Sequence, residues 1–118
     1  MKIRVGIDIE RIARFESLIA SKNRGIVKKI FTPAELRYCL PRANAAAHLA
    51  ARFAAKEAFM KVCRQMGGGQ VSFRQIEISR RRDGAPMISC PCLPGTQVTV
   101  SLSHERECAV AVVVIYKL

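Results

Sequence analysis

Two carboxylates and a lysine are the residues of this sequence best suited to chemistry. Asp8 interrupts an apolar run near the N-terminus, and Glu57 lies in an alanine-rich segment with Lys61 four residues later. Carboxylate oxygens are the ligands that Mg²⁺ prefers, and an ammonium group neutralises phosphate charge. Together the three indicate a site for Mg²⁺ and a phosphorylated substrate. Each also has a simpler interpretation: a helix cap for Asp8, and a surface ion pair for Glu57 and Lys61.

His104 is a further candidate and belongs to a different segment. It stands where a strand-like run stops at polar residues, which are Ser101, Ser103 and Glu105. A single histidine is more often structural than functional. By itself this pattern indicates a polar strand end that could form the rim of a site.

The strand that must position Asp8 is predicted by the alternation of large apolar residues with other residues. Residues 2–9 follow a period of two, so we expect a strand whose large apolar residues all lie on the face opposite Asp8: Ile3, Val5, Ile7 and Ile9. Helical spacing then predicts a helix over residues 10–22. Asp8 is therefore expected close to the junction of a strand and a helix.

Two more helices are predicted before the strand-rich half. Thr32 as N-cap, Pro33 and Glu35 predict a short helix with a capping box. The segment from Asn44 to Met66 is rich in alanine, has no Gly or Pro, and stops at three glycines, which is typical of a long helix. In this helix one polar face would carry Arg52 and Lys56, and a second would carry Glu57 and Lys61.

The remaining segments alternate like strands and are separated by turn residues: 71–79, 85–90, 97–104 and 108–117. The predicted order is β-α-α-α-β-β-β-β. A chain of 118 residues fits one domain. We therefore expect a single α+β domain over residues 1–118, with a long central helix packed on a mainly antiparallel sheet.

The net charge of the sequence indicates which classes of binding partner to expect. The formal net charge is +11, and residues 1–64 hold 14 basic and 5 acidic residues. Such a surplus suits nucleic acid, a membrane surface, an acidic protein or a phosphorylated small molecule. With two Tyr, no Trp and no nucleic-acid-binding motif, nucleic acid is disfavoured. The start lacks the pattern of a secretory signal, and the apolar run 109–116 is too short to cross a membrane, so a cytoplasmic protein is expected.

Six stretches, in order, resemble the holo-acyl-carrier-protein synthases, the small type of 4′-phosphopantetheinyl transferase. They are "GIDIERIARF", "FTPAELRYC", "AARFAAKEAFMK", "SFRQIEI", "DGAPMI" and "SLSHERECAVAVVV". The resemblance implies the fold of that family, a homotrimer with sites between subunits, and a role in fatty acid biosynthesis. The implied reaction moves phosphopantetheine from coenzyme A to a serine of apo-acyl carrier protein and releases adenosine 3′,5′-bisphosphate. The loop "RQMGGGQ" is richer in glycine than the family pattern.

The resemblance also implies roles for individual residues. Asp8 and Glu57 would bind Mg²⁺, and Lys61 would neutralise a phosphate oxygen. Either Glu57 or a water on the metal could take the serine proton, and the water is favoured. His104 would line the coenzyme A pocket and Arg52 would contact its phosphates. The acidic carrier protein would be met by three exposed arginines: Arg14, supported by Arg11 and Arg24.

Overall fold

The computed structural model describes residues 2–21 and 24–117. The described residues form five strands, four α-helices and one 3₁₀ turn. In chain order these are β1 (Lys2–Arg11), α1 (Ile12–Ala20), α2 (Gly25–Ile30), α3 (Pro33–Cys39), α4 (Ala45–Gln65), the 3₁₀ turn (Phe73–Gln75), β2 (Glu77–Arg80), β3 (Pro86–Ser89), β4 (Gln97–His104) and β5 (Cys108–Lys117).

The strands form one three-stranded sheet and one hairpin. The sheet has the order β1-β5-β4 and is antiparallel throughout, while β2 and β3 form a separate antiparallel pair. Helix α4 packs on the inner face of the sheet, where β5 contributes four buried residues: Ala109, Ala111, Val113 and Ile115. The expected α+β architecture, with a long helix on an antiparallel sheet, is confirmed.

Helix α4 is buried on more than one side because its side chains are small. Five of its alanines are at most 5 % exposed: Ala50, Ala51, Ala54, Ala55 and Ala58. Small residues let the helix backbone approach strand β1 closely. A Cβ atom added to Gly6 would lie 2.3 Å from the carbonyl oxygen of Ala58. The glycine therefore sets the distance between β1 and α4.

The outer face of the sheet is apolar and uncovered. The isoleucines of β1 and Val5 lie on this face and are more than half exposed, with Ile7 at 59 % and Ile9 at 64 %. The neighbouring strand continues the surface, since Ile7 pairs with Val112 and Ile9 with Val110. The strand face opposite Asp8 was thus predicted correctly, but it faces away from the core of the single chain.

Three local features differ from the sequence prediction. Helix α2 was not predicted, and β1 continues to Arg11, so α1 begins at Ile12. The strand expected over residues 71–79 begins only at Glu77, because Ser72 and Gln75 form a capping box that closes a 3₁₀ turn. Residues 22 and 23 of the predicted first helix lie outside the described residues.

Candidate active site

Asp8 and Lys61 meet across the contact between β1 and α4. Lys61 Nζ lies 3.3 Å from Asp8 Oδ1 and donates to the carbonyl oxygen of Ile7 at 3.0 Å. The N-cap residue of α1 is Arg11, which makes no side-chain cap hydrogen bond. The cap interpretation of Asp8 is therefore wrong, and the ion pair that Lys61 makes is with Asp8 rather than with Glu57 on its own helix.

Asp8 belongs to a group of acidic side chains that includes Glu10 and, at longer range, Glu57. Asp8 Oδ2 is buried and has no hydrogen-bond partner. Burial first, then the adjacent Asp8 carboxylate and, least, the charge of Glu57 together raise the pKa of Glu10 to about 8. The sequence analysis missed Glu10, although its position two residues after Asp8 on a strand places both on one face. Asp8, Glu10 and Glu57 thus form one electronegative cluster.

This cluster suits a hard divalent cation. An unpaired buried carboxylate oxygen is costly, and a bound cation would satisfy it. Oxygen donors from Asp8 and Glu57, which belong to different elements, are the ligand type that Mg²⁺ takes while keeping several waters. No group of three metal-ligating side chains is found within residues 2–21 and 24–117. Because Mg²⁺ usually takes one or two carboxylates together with substrate oxygens and water, Asp8 and Glu57 suit this ion.

A cavity of about 820 Å³ opens beside Glu57. Its wall includes Cys63, the glycine loop after α4, and Phe73 in the 3₁₀ turn. Two basic side chains, Lys29 and Arg64, also line it. A space of this size with mixed polar and apolar walls falls within the range of small-molecule sites.

The face of α4 that carries Arg52 and Lys56 is buried rather than exposed. Arg52 is only 1 % exposed, its Nε has no hydrogen-bond partner, and its guanidinium lies over the Tyr38 ring with Cζ 4.5 Å from the centroid. The expectation of two polar helix faces is wrong here. Arg52 is shielded within a basic cluster, and its contact with a phosphate stays a prediction.

The basic cluster around Tyr38 has an excess of positive charge. Three guanidiniums face its ring, from Arg42, Arg52 and Arg80. Among the described residues none of the three forms an ion pair. Burial first, and then these arginines, lower the pKa of His48, whose ring lies 5.8 Å from that of Tyr38. Such a cluster favours an anion.

His104 lies next to this basic cluster. Its exposed ring is at the end of β4, with its centroid 6.4 Å from that of His48. It lines a second cavity of about 560 Å³, together with Asn44 and Glu16. Glu57 lines the first cavity and His104 the second. The predicted site residues therefore fall into two separate groups in one chain.

A buried ion pair holds the elements around the first cavity. Lys56 Nζ donates to Glu35 Oε1 at 2.6 Å and to the carbonyl oxygens of Ile30 and Phe73. The other oxygen of Glu35 accepts from the backbone N–H of Ile78 at 2.8 Å. Burial lowers the pKa of Lys56, and the charge of Glu35 opposes this shift. The pair ties α2, α3, α4, the 3₁₀ turn and β2 together.

The arginines predicted to dock a carrier protein are exposed. Arg14 forms an ion pair with Glu10 at 3.4 Å, and its Cζ lies 5.4 Å from the centre of the Phe53 ring. Arg11 ends β1, and Arg24 precedes α2. Arg14 is thus linked through Glu10 to the acidic cluster around Asp8.

Comparisons with known proteins show the family to which the whole chain is similar. The family model of the 4′-phosphopantetheinyl transferase superfamily matches residues 4–113. The holo-[acyl-carrier-protein] synthase of Moorella thermoacetica is 41% identical, over 96% of this chain and 93% of that protein. The enzyme of the same name from Geotalea daltonii is 37% identical, over 95% and 96%.

A solved structure of a similarly named enzyme has the same fold. The crystal structure of Helicobacter pylori holo-[acyl-carrier-protein] synthase in complex with coenzyme A superposes with a TM-score of 0.80 at 31% identity, covering 96% of this chain and 100% of that one. Similarity in sequence and in fold thus extends over nearly the whole chain. The chain accordingly belongs to the 4′-phosphopantetheinyl transferase superfamily and, within it, to the holo-[acyl-carrier-protein] synthases.

Proposed function

We propose that this chain transfers the 4′-phosphopantetheine group of coenzyme A to a serine of apo-acyl carrier protein, with Mg²⁺, and releases adenosine 3′,5′-bisphosphate. The product would serve fatty acid biosynthesis in the cytoplasm. The observation that carries the proposal is the buried, unpartnered Asp8 Oδ2 in an acidic cluster beside Lys61. Among the described residues no helix is long and apolar enough to cross a membrane.

The metal would be held by Asp8 and Glu57. When bound, Mg²⁺ supplies positive charge that stabilises the negative charge developing on the departing phosphate. Two carboxylates suit this ion, because Mg²⁺ usually binds few protein ligands together with substrate phosphates. Glu10 is adjacent to Asp8, and the charges of Asp8 and Glu57 contribute, after burial, to its raised pKa.

Lys61 would place a second positive charge on the substrate. Its ammonium group is half-exposed, with 48% of the side chain accessible, and it is oriented by the carbonyl oxygen of Ile7. An oriented ammonium group can bind a phosphate oxygen without further reorganisation. Glu57 is half-buried at the edge of the larger cavity, where it could accept the proton of the attacking serine.

Coenzyme A would also contact the second group of residues. His104 is exposed beside the basic cluster of Arg42, Arg52 and Arg80, which has no carboxylate partner among the described residues. This cluster would favour the phosphates of coenzyme A over neutral ligands. Since Arg52 itself is buried, the more exposed members would make the first contact.

We propose a homotrimer in which each site combines residues of two subunits. The support is twofold: Glu57 and His104 line different cavities of one chain, and the outer face of β1 and β5 is apolar and uncovered. A contiguous apolar sheet face of this kind is typical of a subunit interface.

A transfer assay tests the proposed activity. Apo-acyl carrier protein, coenzyme A and Mg²⁺ are incubated with the purified chain, and the carrier protein is weighed by mass spectrometry. We expect the carrier to gain the mass of one phosphopantetheine group at its serine. A carrier with that serine replaced by alanine is the control. An unchanged mass of the apo-carrier at saturating coenzyme A and Mg²⁺ would refute the proposal.

A further inference from the structure

Three cysteines with no role in the proposed transfer reaction lie close together, with Cys92 in contact with the other two. Cys92 Sγ is 2.7 Å from Cys90 Sγ and 3.8 Å from Cys63 Sγ. All three are free thiols, and Cys63 belongs to α4 while the other two follow β3. A disulfide bond is about 2.0 Å long, so small movements would join either pair.

We propose that Cys63, Cys90 and Cys92 form a thiol–disulfide site that is oxidised by low-molecular-weight disulfides and that changes the shape of the cavity beside Glu57. The remaining cysteines, Cys39 and Cys108, are outside this cluster. The site requires only the protein thiols and an organic disulfide as oxidant, so it is independent of the transfer reaction.

Oxidation proceeds by two thiol–disulfide exchanges. The half-buried Cys90 loses its proton and attacks the small disulfide, forming a mixed disulfide and releasing one small thiol, which takes up the proton. Cys92 then attacks the Cys90 sulfur, forming the Cys90–Cys92 disulfide and releasing the second small thiol. Two protein thiols are oxidised and one disulfide is reduced to two thiols.

The order of these steps follows from the surroundings of each sulfur. Burial is the main cause that raises the pKa of Cys92 to about 12, so its thiolate is scarce and Cys92 is a poor first nucleophile. Its short distance from Cys90 favours it in the second, intramolecular step. Cys63 is only 1 % exposed and is shielded from direct attack.

The third cysteine links the site to α4. Once Cys90 and Cys92 are joined, the Cys63 thiol can attack the Cys92 sulfur, forming a Cys63–Cys92 disulfide and returning the thiol to Cys90. This exchange needs no further oxidant. It must bring Cys63 and Cys92 sulfurs closer by about 1.8 Å, given the length of a disulfide bond.

The glycine loop would transmit this movement to the cavity. Gly68 donates its N–H to the carbonyl oxygen of Cys63 at 2.9 Å, and a Cβ atom added to Gly68 would lie 2.6 Å from Cys63 Sγ. Only a glycine fits so close to that sulfur. Because Cys63 and Gly68 both line the cavity with Glu57, a shift of Cys63 displaces the loop and alters the cavity wall.

Oxidised glutathione is the probe for the thiol chemistry. The folded wild-type chain is incubated with it, and intact mass, free-thiol count and disulfide mapping are recorded. We expect the loss of two of the five thiols, a mass decrease of two hydrogens, and disulfides of Cys92 with Cys90 and with Cys63. Cys92→Ser should instead retain one glutathionyl group on Cys90. Cys108→Ser, a half-buried cysteine outside the cluster, should behave as wild type.

Three results would contradict the proposed disulfide site. Five intact thiols after incubation, a stable glutathione adduct on the wild type, or equal thiol loss in Cys92→Ser would overturn the disulfide site.

Hydrogen exchange tests the link between the disulfide and the cavity. Oxidation of the wild type should speed exchange of the Gly68 amide by at least about tenfold, and oxidation of Cys63→Ser should not. Equal exchange in both oxidised proteins would overturn that link.

Discussion

At the scale of single residues, Asp8 is placed for function at a cost in stability. A buried carboxylate oxygen without a partner costs roughly 1–3 kcal/mol. The ion pair with Lys61 recovers little, because half of that lysine is exposed to water and the pair is only partly shielded. Such an arrangement is expected where a cation or substrate completes the site.

The substitution Asp8→Asn should separate the functional role of Asp8 from a structural one. The amide keeps the size of the side chain and removes the buried charge, so thermal stability should be unchanged or slightly higher. We expect phosphopantetheine transfer to fall by about a hundredfold or more, because a ligand charge is lost. Initial rates at several Mg²⁺ concentrations and a thermal melt measure the two effects.

Asp83→Asn is the matched control, since that carboxylate is exposed in the β2–β3 turn. It should leave both rate and melting temperature as in the wild type. Near-normal transfer by Asp8→Asn with a markedly lower melting temperature would contradict the metal-ligand role.

A site residue could be predicted from the sequence where the chemistry of its side chain and the periodicity of its strand or helix indicate the same position. Asp8 and Lys61 were predicted in one site from their chemistry, and the structure places the two side chains in contact. The burial of Arg52 was not predictable, since it depends on Tyr38, which comes from another helix. Glu10 was missed because the expected helix included it, whereas β1 continues past it.

At the scale of elements, the pair of Lys56 and Glu35 connects five segments of the chain. Both side chains are fully buried, and their hydrogen bonds reach the end of α2, the 3₁₀ turn and β2. We expect Lys56→Met to lower the free energy of unfolding by about 3–5 kcal/mol, because it leaves the Glu35 charge buried and unpaired. Chemical denaturation measures this loss.

Two further variants test the reason for that loss. The double variant Lys56→Met with Glu35→Gln removes the unpaired charge and should recover part of the stability, since the amide oxygen still accepts from Ile78 N–H. Lys28→Met replaces an exposed lysine of α2 and should change stability little. A Lys56→Met loss no larger than that of Lys28→Met would show that the ion pair is unimportant.

The contact of β1 with α4 should be sensitive to a single methyl group. In Gly6→Ala the new Cβ would meet the backbone carbonyl of Ala58 at 2.3 Å, so the strand or the helix must move. We expect a loss of about 1–3 kcal/mol in stability, together with slower transfer, because Asp8 moves relative to Lys61. Gly69→Ala, where the added atom meets nothing within 4 Å, is the control. Wild-type stability for Gly6→Ala would contradict this close packing.

Most elements were predictable because their local signals agree with their tertiary surroundings. The alternation of β1, the capping box of Thr32 and Glu35, and the alanine-rich helix α4 are all observed. Helix α2 was missed because it has six residues and no side-chain cap, so its stability comes from packing of Val27 and Ile30. The 3₁₀ turn at Phe73 was missed although Ser72 and Gln75 form a local capping box, and the hydrogen bond from Lys56 to Phe73 comes from another element.

At the scale of the whole molecule, the uncovered sheet face predicts an effect on assembly. Ile7 is 59 % exposed on this face, so Ile7→Asp should not disturb the core of the chain. We expect the variant to be monomeric in light scattering with an unchanged circular dichroism spectrum, and to lose transfer activity, because the two groups of site residues lie in different cavities. Met87→Asp, exposed on the separate hairpin, is the control. A trimeric Ile7→Asp, or an active monomer, would refute assembly through this face.

The net positive charge predicts how the molecule meets an acidic carrier protein. Arg14 is exposed at the edge of the acidic cluster, and exposed rim charges act mainly on the rate of association. Arg14→Gln is preferable to charge reversal, because a carboxylate at this position would repel Glu10 and disturb Asp8. We expect the KM for carrier protein to rise by roughly three- to tenfold with little change in kcat.

Added salt should raise the KM for carrier protein in the wild type, because it screens the attraction between Arg14 and the acidic carrier. The same salt should raise the KM of Arg14→Gln less, because that variant has already lost this attraction. Arg82→Gln changes the net charge equally at the distant hairpin and should leave the KM as in the wild type. Equal effects of the two substitutions would show that total charge, rather than docking at Arg14, captures the carrier protein.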